Sequence, residues 1–174
     1  TIYAGSASGG LWCTFTGGVG VSAWHYVKTG FPVLGVGAIA IDYSDTNKIY
    51  IGTGEVYQYG KSIGGIAERP TRGSYGIGIL RTTDGGQTWT KSLDWTADQE
   101  RGILALKIDP VNPNIIWAGT TEGLYKSTDG GISWKYSYGV QMVTDIAIDP
   151  RNPDRVYFTA GNFATSGNGC YRTT

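Results

Sequence analysis

The sequence lacks an excess of charge of either sign. Its 174 residues include 14 basic and 14 acidic side chains, with no block of like charge. A nucleic-acid groove or an anionic membrane surface normally shows clustered lysine and arginine. A long hydrophobic run is also missing, because the longest apolar stretch, 30–41, is too short to cross a bilayer and contains Pro32. We therefore expect neither a nucleic-acid partner nor insertion into a membrane.

Cysteine and histidine are scarce. The chain has two cysteines, Cys13 and Cys170, and one histidine, His25. Two cysteines are too few for a disulfide scaffold, and neither has the spacing of a metal ligand. We expect both to be small buried hydrophobes rather than a bridge, and His25 to be a surface residue of a strand. No nucleotide-binding or Ser-His-Asp pattern is present, so we predict neither a metal nor another cofactor.

Glycine and aromatic residues are abundant instead. The chain contains 28 Gly, 12 Tyr and 6 Trp, while only 16% of its residues are charged. This much glycine excludes a helical bundle, and the aromatic residues supply the apolar area that folding needs. Aromatic and β-branched residues between glycine-rich turns predict an all-β protein.

A repeated phrase organises the chain. Apolar strands end in Ile-Asp at 41–42, 108–109 and 148–149, and each is followed by a turn and a second strand. Four short antiparallel strands with a period of about 40–45 residues are typical of a β-propeller blade. The sequence therefore predicts an all-β fold, a β-propeller of four-stranded antiparallel blades, present as a partial arc of about four blades.

The repeat also predicts the limits of each blade. We place a partial blade 1 at 1–30, blade 2 at 36–93 with a long loop at 54–76, blade 3 at 103–138 and a partial blade 4 at 143–174. Because two complete and two partial blades cannot close a ring of about 4–8 blades, we expect the polypeptide to continue on both sides. Other blades or domains of the same longer chain are thus expected partners.

Two hairpins share one turn sequence, at 82–89 and 127–134, which we call the TDGG turns. We expect each aspartate to accept backbone N–H groups two residues on, and the glycines to supply positive φ angles. The hydroxyl side chains should bond across the turn, and the tryptophans should return the chain into the layer between blades. The structural residues of the turns are Thr82, Asp84, Gly86, Trp89, Ser127, Asp129, Gly131 and Trp134.

Both TDGG turns match the pattern Ser/Thr-x-Asp-x-Gly-x-Ser/Thr-Trp and so resemble the Asp-box, or BNR-type, repeat. That repeat occurs in the propellers of sialidases, sortilin-type receptors, xyloglucanases and photosystem II assembly factors. The resemblance implies a propeller fold with the boxes at the blade periphery, far from ligand. The first unit departs from the pattern, because Thr16 stands in place of the aspartate and the tryptophan is delayed to Trp24.

Blade topology predicts two different faces. First-to-second loops and TDGG turns share one face, the turn face; second-to-third loops and inter-blade links share the other, the loop face. We expect the long loop 54–76 and the link 93–102 to lie side by side on the loop face. Candidate ligand-binding residues there are Tyr57, Tyr59, Arg69, Arg72, Tyr75 and Trp95; weaker catalytic candidates are the carboxylates Glu55, Glu68, Asp94 and Asp98. The alternative is a solvated loop that packs on a neighbouring blade or domain.

No catalytic constellation stands out among these residues. The arginine triad of sialidases cannot be assembled, because Arg69 and Arg72 share one loop. We therefore interpret the chain as a non-catalytic, extracellular or cell-envelope propeller that serves as a binding or scaffold module for a glycan or protein ligand. The alternative is a glycoside hydrolase of the xyloglucanase or sialidase type that uses the loop-face carboxylates.

Overall fold

The computed structural model of the chain describes residues 1–32, 35–58, 72–97, 100–162 and 167–173. Within these ranges the regular elements are sixteen β-strands, without a helix. Accordingly, the described residues contain no helix long and apolar enough to span a membrane.

Four antiparallel sheets follow one another along the chain. Sheet 1 contains β1 (Ile2–Ser6), β2 (Gly10–Thr14) and β3 (His25–Tyr26). Sheet 2 starts with β4 (Val36–Ile41) and β5 (Ile49–Thr53), is interrupted by a separate hairpin of β6 (Glu55–Gln58) and β7 (Arg72–Ser74), and ends with β8 (Gly78–Thr82) and β9 (Thr90–Asp94). Sheet 3 comprises β10 (Ile103–Ile108), β11 (Ile116–Thr120), β12 (Leu124–Ser127) and β13 (Lys135–Tyr138); sheet 4 comprises β14 (Val143–Ile148), β15 (Val156–Ala160) and β16 (Gly169–Arg172).

Each sheet packs face to face against the next one in the chain. Leu11 of sheet 1 joins a buried cluster with Ile51 and Trp89 of sheet 2. A second cluster connects sheets 2 and 3, and a third connects sheets 3 and 4. The first strands of the last three sheets lie together, because β10 packs against both β4 and β14. The apolar residues at alternating positions of these strands thus form three cores, one between each pair of neighbouring sheets, rather than one central core.

The TDGG turns are closed by their aspartates. Asp84 accepts the backbone N–H groups of Gln87 (3.0 Å) and Thr88 (2.9 Å), and it accepts the hydroxyl of Thr82 at 2.6 Å. Asp129 makes the equivalent bonds in the second turn. The acceptor bonds therefore reach three and four residues on, not two as the sequence suggested, because the two glycines with positive φ lengthen the loop.

Both TDGG turns are hydrogen-bonded to the preceding sheet. The hydroxyl of Tyr50 in β5 is buried and donates to the carbonyl of Gly130 at 2.9 Å. Tyr3 of β1 donates to Gly85 in the first turn at 3.3 Å. In the second turn the indole of Trp134 also donates to the hydroxyl of Ser92 at 2.8 Å. Each turn thus closes its own hairpin and joins two neighbouring sheets.

Acid should weaken these turns. The hydroxyl of Thr82 is the largest cause that lowers the pKa of Asp84, and that of Ser133 is the largest for Asp129. Because both folded-state pKa values lie below the unfolded value of about 3.9, the ionised carboxylates stabilise the fold fully above that pH, and the stabilisation is lost as pH falls below it. We expect the urea concentration at the midpoint of unfolding to fall for the wild type when the pH is lowered below about 4. For the Asp84→Asn, Asp129→Asn double variant we expect it to fall less. Parallel pH profiles for the two proteins would contradict this.

The cysteines and the histidine have different surroundings. Cys13 and Cys170 are both free thiols, which confirms the absence of a bridge between them. Cys13 is buried, but Cys170 is exposed, so the expectation that both are buried is wrong for the second. His25 lies exposed in the short outer strand β3, as the sequence suggested.

Candidate functional site

Hydrogen bonds between loops define the two faces. On the turn face, the N–H of Gly85 donates to Asn47 (3.0 Å), which belongs to a first-to-second loop. On the loop face, the N–H of Gly76 donates to the carbonyl of Arg101 at 2.7 Å. The end of the long loop and the inter-blade link therefore lie side by side, as the blade topology predicts.

The described part of the long loop is a β-hairpin rather than irregular chain. Its strands β6 and β7 pair from Glu55 opposite Ser74. Val56 is 3% exposed and packs with Met142 and Leu104, so the hairpin folds back over the links around sheet 3. Glu55 and Tyr57 are both exposed, and a shift of register between Val56 and Gln58 interrupts the regular alternation of the strand at Tyr57.

Two loop-face carboxylates lie within two residues of a point of close backbone contact. Gly54 has a φ of +89°, and a Cβ at that position would lie 3.1 Å from the Cα of Gly102. Glu55 follows Gly54 directly, and Glu100 lies two residues before Gly102; both are exposed. Glu100 also has a φ of +75°, a conformation that is uncommon for a non-glycine residue and is concentrated at functional sites.

Glu100 is not among the catalytic candidates from the sequence. Nothing in its spacing marks it, because the contact that brings it towards Glu55 joins two segments far apart in the chain. A carboxylate within an inter-blade link that borders a long loop is the signal that could have identified it.

Asp94 lies on the same face, but neighbouring residues already bond to its carboxylate. It accepts the backbone N–H of Thr96 at 2.9 Å and pairs with Lys91 at 3.1 Å. The hydroxyl of Thr96, followed by its N–H and by Lys91, lowers the pKa of Asp94 to about 2. A group with this pKa is ionised near neutral pH and cannot serve as a general acid there.

Trp95 is a core residue, which corrects its proposed role as a ligand anchor. Its side chain is 5% exposed and belongs to the cluster between sheets 2 and 3. Its ring meets that of Tyr125 edge to face at 5.8 Å, and the guanidinium of Arg101 lies 5.4 Å from its centroid. The chain bends inward after β9, where the N–H of Trp95 donates to Ile77.

A polar cluster surrounds this tryptophan at the rim between sheets 2 and 3. Arg101 forms an ion pair with Glu122 at 2.9 Å, and Tyr125 donates to the same carboxylate at 3.4 Å. Burial, followed by the charge of Glu122, raises the pKa of Tyr125 to about 12. The phenol therefore remains a hydrogen-bond donor at neutral pH.

The remaining candidates divide into two groups. Tyr57 and Tyr75 are 66% and 41% exposed; the first lies in β6 and the second at the base of the hairpin. Arg72 pairs through its backbone with Gln58. Tyr59, Glu68, Arg69 and Asp98 lie outside the described residues.

The succession of four blade-like sheets is found in solved glycoside hydrolases. The chain matches an ancestral GH74 enzyme with a TM-score of 0.67 and 19% identity, over 98% of this chain and 21% of that one. It matches the GH74 xyloglucanase from Xanthomonas campestris with a TM-score of 0.63 and 18% identity, over 98% and 27% of the two chains. At these identities the likeness shows the fold, and the chain is a partial β-propeller, as the sequence predicts.

Curated relatives carry the sequence similarity. A xyloglucanase from Hypocrea jecorina is 32% identical over 148 residues, which are 76% of this chain and 15% of the enzyme. Xyloglucanase Xgh74A from Acetivibrio thermocellus is 32% identical over 121 residues, 63% and 12% of the two chains. No family model matches the sequence. The chain thus spans about 15% or less of the length of these relatives.

These findings correct the interpretation as a non-catalytic module. The two relatives are named xyloglucanases, and the two solved structures described above are GH74 enzymes. They favour the alternative, a glycoside hydrolase. The sequence misled because its conspicuous repeats specify the architecture of the blades, whereas the chemistry of such a fold resides in loops that differ from blade to blade.

Proposed function

We propose that this chain forms propeller blades of a secreted glycoside hydrolase that acts on xyloglucan and contacts it through the loop face. The observation that carries the proposal is the similarity to the Hypocrea jecorina xyloglucanase, 32% identity over 76% of this chain. A polysaccharide is too large to enter a cell intact, so such an enzyme belongs outside the cell or in its envelope.

The geometry supports the loop face as the side that meets the substrate. Glycoside hydrolysis uses two carboxyl groups, about 5–10 Å apart, on either side of the scissile bond. Glu55 and Glu100 are exposed and branch from the backbone next to the contact between Gly54 and Gly102. We assign this pair to the acid–base chemistry of the site.

Exposed aromatic rings accompany the pair. Tyr57 lies two residues after Glu55 in β6, Tyr75 lies at the base of the hairpin, and both rings are exposed. Aromatic rings offer flat apolar surfaces against which sugar rings stack, while polar groups beside them fix the orientation. The TDGG turns, which we identify as Asp-box repeats, lie on the opposite face and have a structural role.

The proposal is tested by incubating the protein with xyloglucan and measuring the release of reducing ends. We expect release from xyloglucan and little from starch, whose α-linkages present a different chain shape. Binding of xyloglucan without any release of reducing ends would contradict the proposal, as would complete inactivity towards β-linked glucans.

A further inference from the structure

Sheet 3 carries an exposed tyrosine that is held in a fixed orientation. Tyr136 of β13 is 56% exposed, and its ring meets that of Tyr125 edge to face at 5.2 Å. Its hydroxyl donates to the backbone carbonyl of Glu122 at 3.2 Å. The contact with Tyr125 and the hydrogen bond to Glu122 thus hold the ring while more than half of the residue stays open to solvent.

The ring of Tyr136 lies close to a glycine. A Cβ on Gly123 would be 2.4 Å from the carbonyl oxygen of Tyr138 and 2.8 Å from Cε2 of Tyr136. Sheet 1 has the same arrangement, since Trp12 and Tyr26 meet edge to face at 5.6 Å and a Cβ on Gly10 would lie 2.9 Å from Cε2 of Tyr26. A tyrosine seated on a glycine is therefore a recurrent unit of this chain.

The fold itself does not require an aromatic residue at this position. In sheet 2, Leu80 pairs with Lys91 where Tyr125 pairs with Tyr136 in sheet 3, in each case directly after a shift of register. Leu80 is fully buried without an aromatic partner at the pairing position. The same blade geometry thus forms with a lysine in place of Tyr136, so packing alone does not account for the tyrosine.

Charged groups border the ring on the loop face. The hydroxyl of Tyr136 bonds the backbone of Glu122, and the carboxylate of that residue pairs with Arg101; the two charged side chains remain 21% and 25% exposed. Stacking of Arg101 on Trp95 and the hydrogen bond from Tyr125 hold the guanidinium and the carboxylate in place. A fixed aromatic surface beside a fixed donor and a fixed acceptor is the combination that binds a polyhydroxylated ring.

We propose that Tyr136, together with the Arg101–Glu122 pair, forms a subsite for one glucosyl unit of a β-glucan backbone, separate from the Glu55–Glu100 pair. This assignment rests on the proposed function, which supplies the class of ligand. The subsite holds the chain at the outer strand of sheet 3 and takes no part in bond cleavage. It should therefore affect the binding of long substrates rather than the chemical step.

The test compares Tyr136→Lys, which introduces the residue that sheet 2 has at this position, with the wild type. Binding of cellohexaose and xyloglucan is measured by titration calorimetry, and hydrolysis by initial rates. We expect Tyr136→Lys to weaken xyloglucan binding about tenfold and to raise KM, while kcat stays unchanged. Tyr136→Phe keeps the ring and should keep the affinity. The control is Tyr43→Ala, which removes a tyrosine that is 97% exposed on the turn face and should change neither value.

The outcomes separate the subsite from the proposed function. Unchanged affinity and KM in Tyr136→Lys, with an active wild type, would overturn the subsite alone. An inactive wild type that binds cellohexaose through Tyr136 would overturn the enzymatic assignment and support the subsite. A loss of affinity in Tyr136→Phe equal to that in Tyr136→Lys would also overturn it, because the hydroxyl and not the ring would then be responsible.

Discussion

Replacing Glu55 or Glu100 with glutamine is expected to lower kcat for xyloglucan hydrolysis by about 10²–10⁴-fold, because each change removes a carboxyl group that transfers a proton or stabilises charge at the scissile bond. The two side chains are close in shape to their replacements, and both positions are exposed, so the fold should tolerate the changes. Initial rates of reducing-end release, measured beside thermal melting curves, check the prediction. If the two groups act as a unit, the double variant should be little worse than either single one.

The matched control for these variants is Asp94→Asn. This carboxylate lies on the same face, but its bonds to Thr96 and Lys91 occupy it, and its pKa of about 2 keeps it ionised. We expect kcat to change less than about threefold, since no proton transfer depends on it. A large loss in Asp94→Asn together with normal rates in Glu55→Gln and Glu100→Gln would refute the assignment of the pair.

Removing the side chain of Tyr50 should have the largest effect on stability. Tyr50 is 1% exposed, packs in the core between sheets 2 and 3 and donates to Gly130 of the second TDGG turn. Truncating a buried aromatic residue leaves a cavity, so we expect Tyr50→Ala to lower the free energy of unfolding by about 3–5 kcal/mol. Urea denaturation followed by tryptophan fluorescence measures the change.

A second variant separates packing from hydrogen bonding at this position. Tyr50→Phe keeps the ring but leaves the carbonyl of Gly130 without its donor, which should cost about 1–3 kcal/mol. A loss in Tyr50→Phe as large as that in Tyr50→Ala would show that the hydrogen bond to the turn, and not the packing of the ring, accounts for the effect.

The hydrogen bonds between the second TDGG turn and sheet 2 help to set the relative position of sheets 2 and 3. Tyr50 and Ser92 hold the second TDGG turn against sheet 2, and on the opposite face the ring of Trp95, which directly follows β9 of sheet 2, meets the ring of Tyr125 in sheet 3. The two sheets are thus fixed to each other at both ends. Glu55 follows β5 of sheet 2 after Gly54, and Glu122 lies between two strands of sheet 3, so we expect this joint to set the relative positions of the proposed carboxylate pair and the proposed glucan subsite.

The sequence by itself determined the strands, the turns and the order of the sheets, because each of these depends on residues close together in the chain. Alternation of apolar residues places β10 and β11, and the aspartate and glycines of 127–134 close their hairpin through bonds within a few residues. Repetition of these local signals along the chain was sufficient to identify a propeller, since each blade buries its apolar faces only by packing against its neighbours.

Only the tertiary structure decided which loop-face residues are available to a ligand. An aromatic residue in a polar link is typical of an exposed ligand anchor. The chain nevertheless bends inward after β9 and buries Trp95 beneath Tyr125 and Arg101. Glu55 and Glu100 belong to segments distant in sequence, and the contact of Gly54 with Gly102 brings those segments together. The burial of a side chain and its distance from another depend on how one blade packs against the next. The residues next to it in the sequence do not determine that packing.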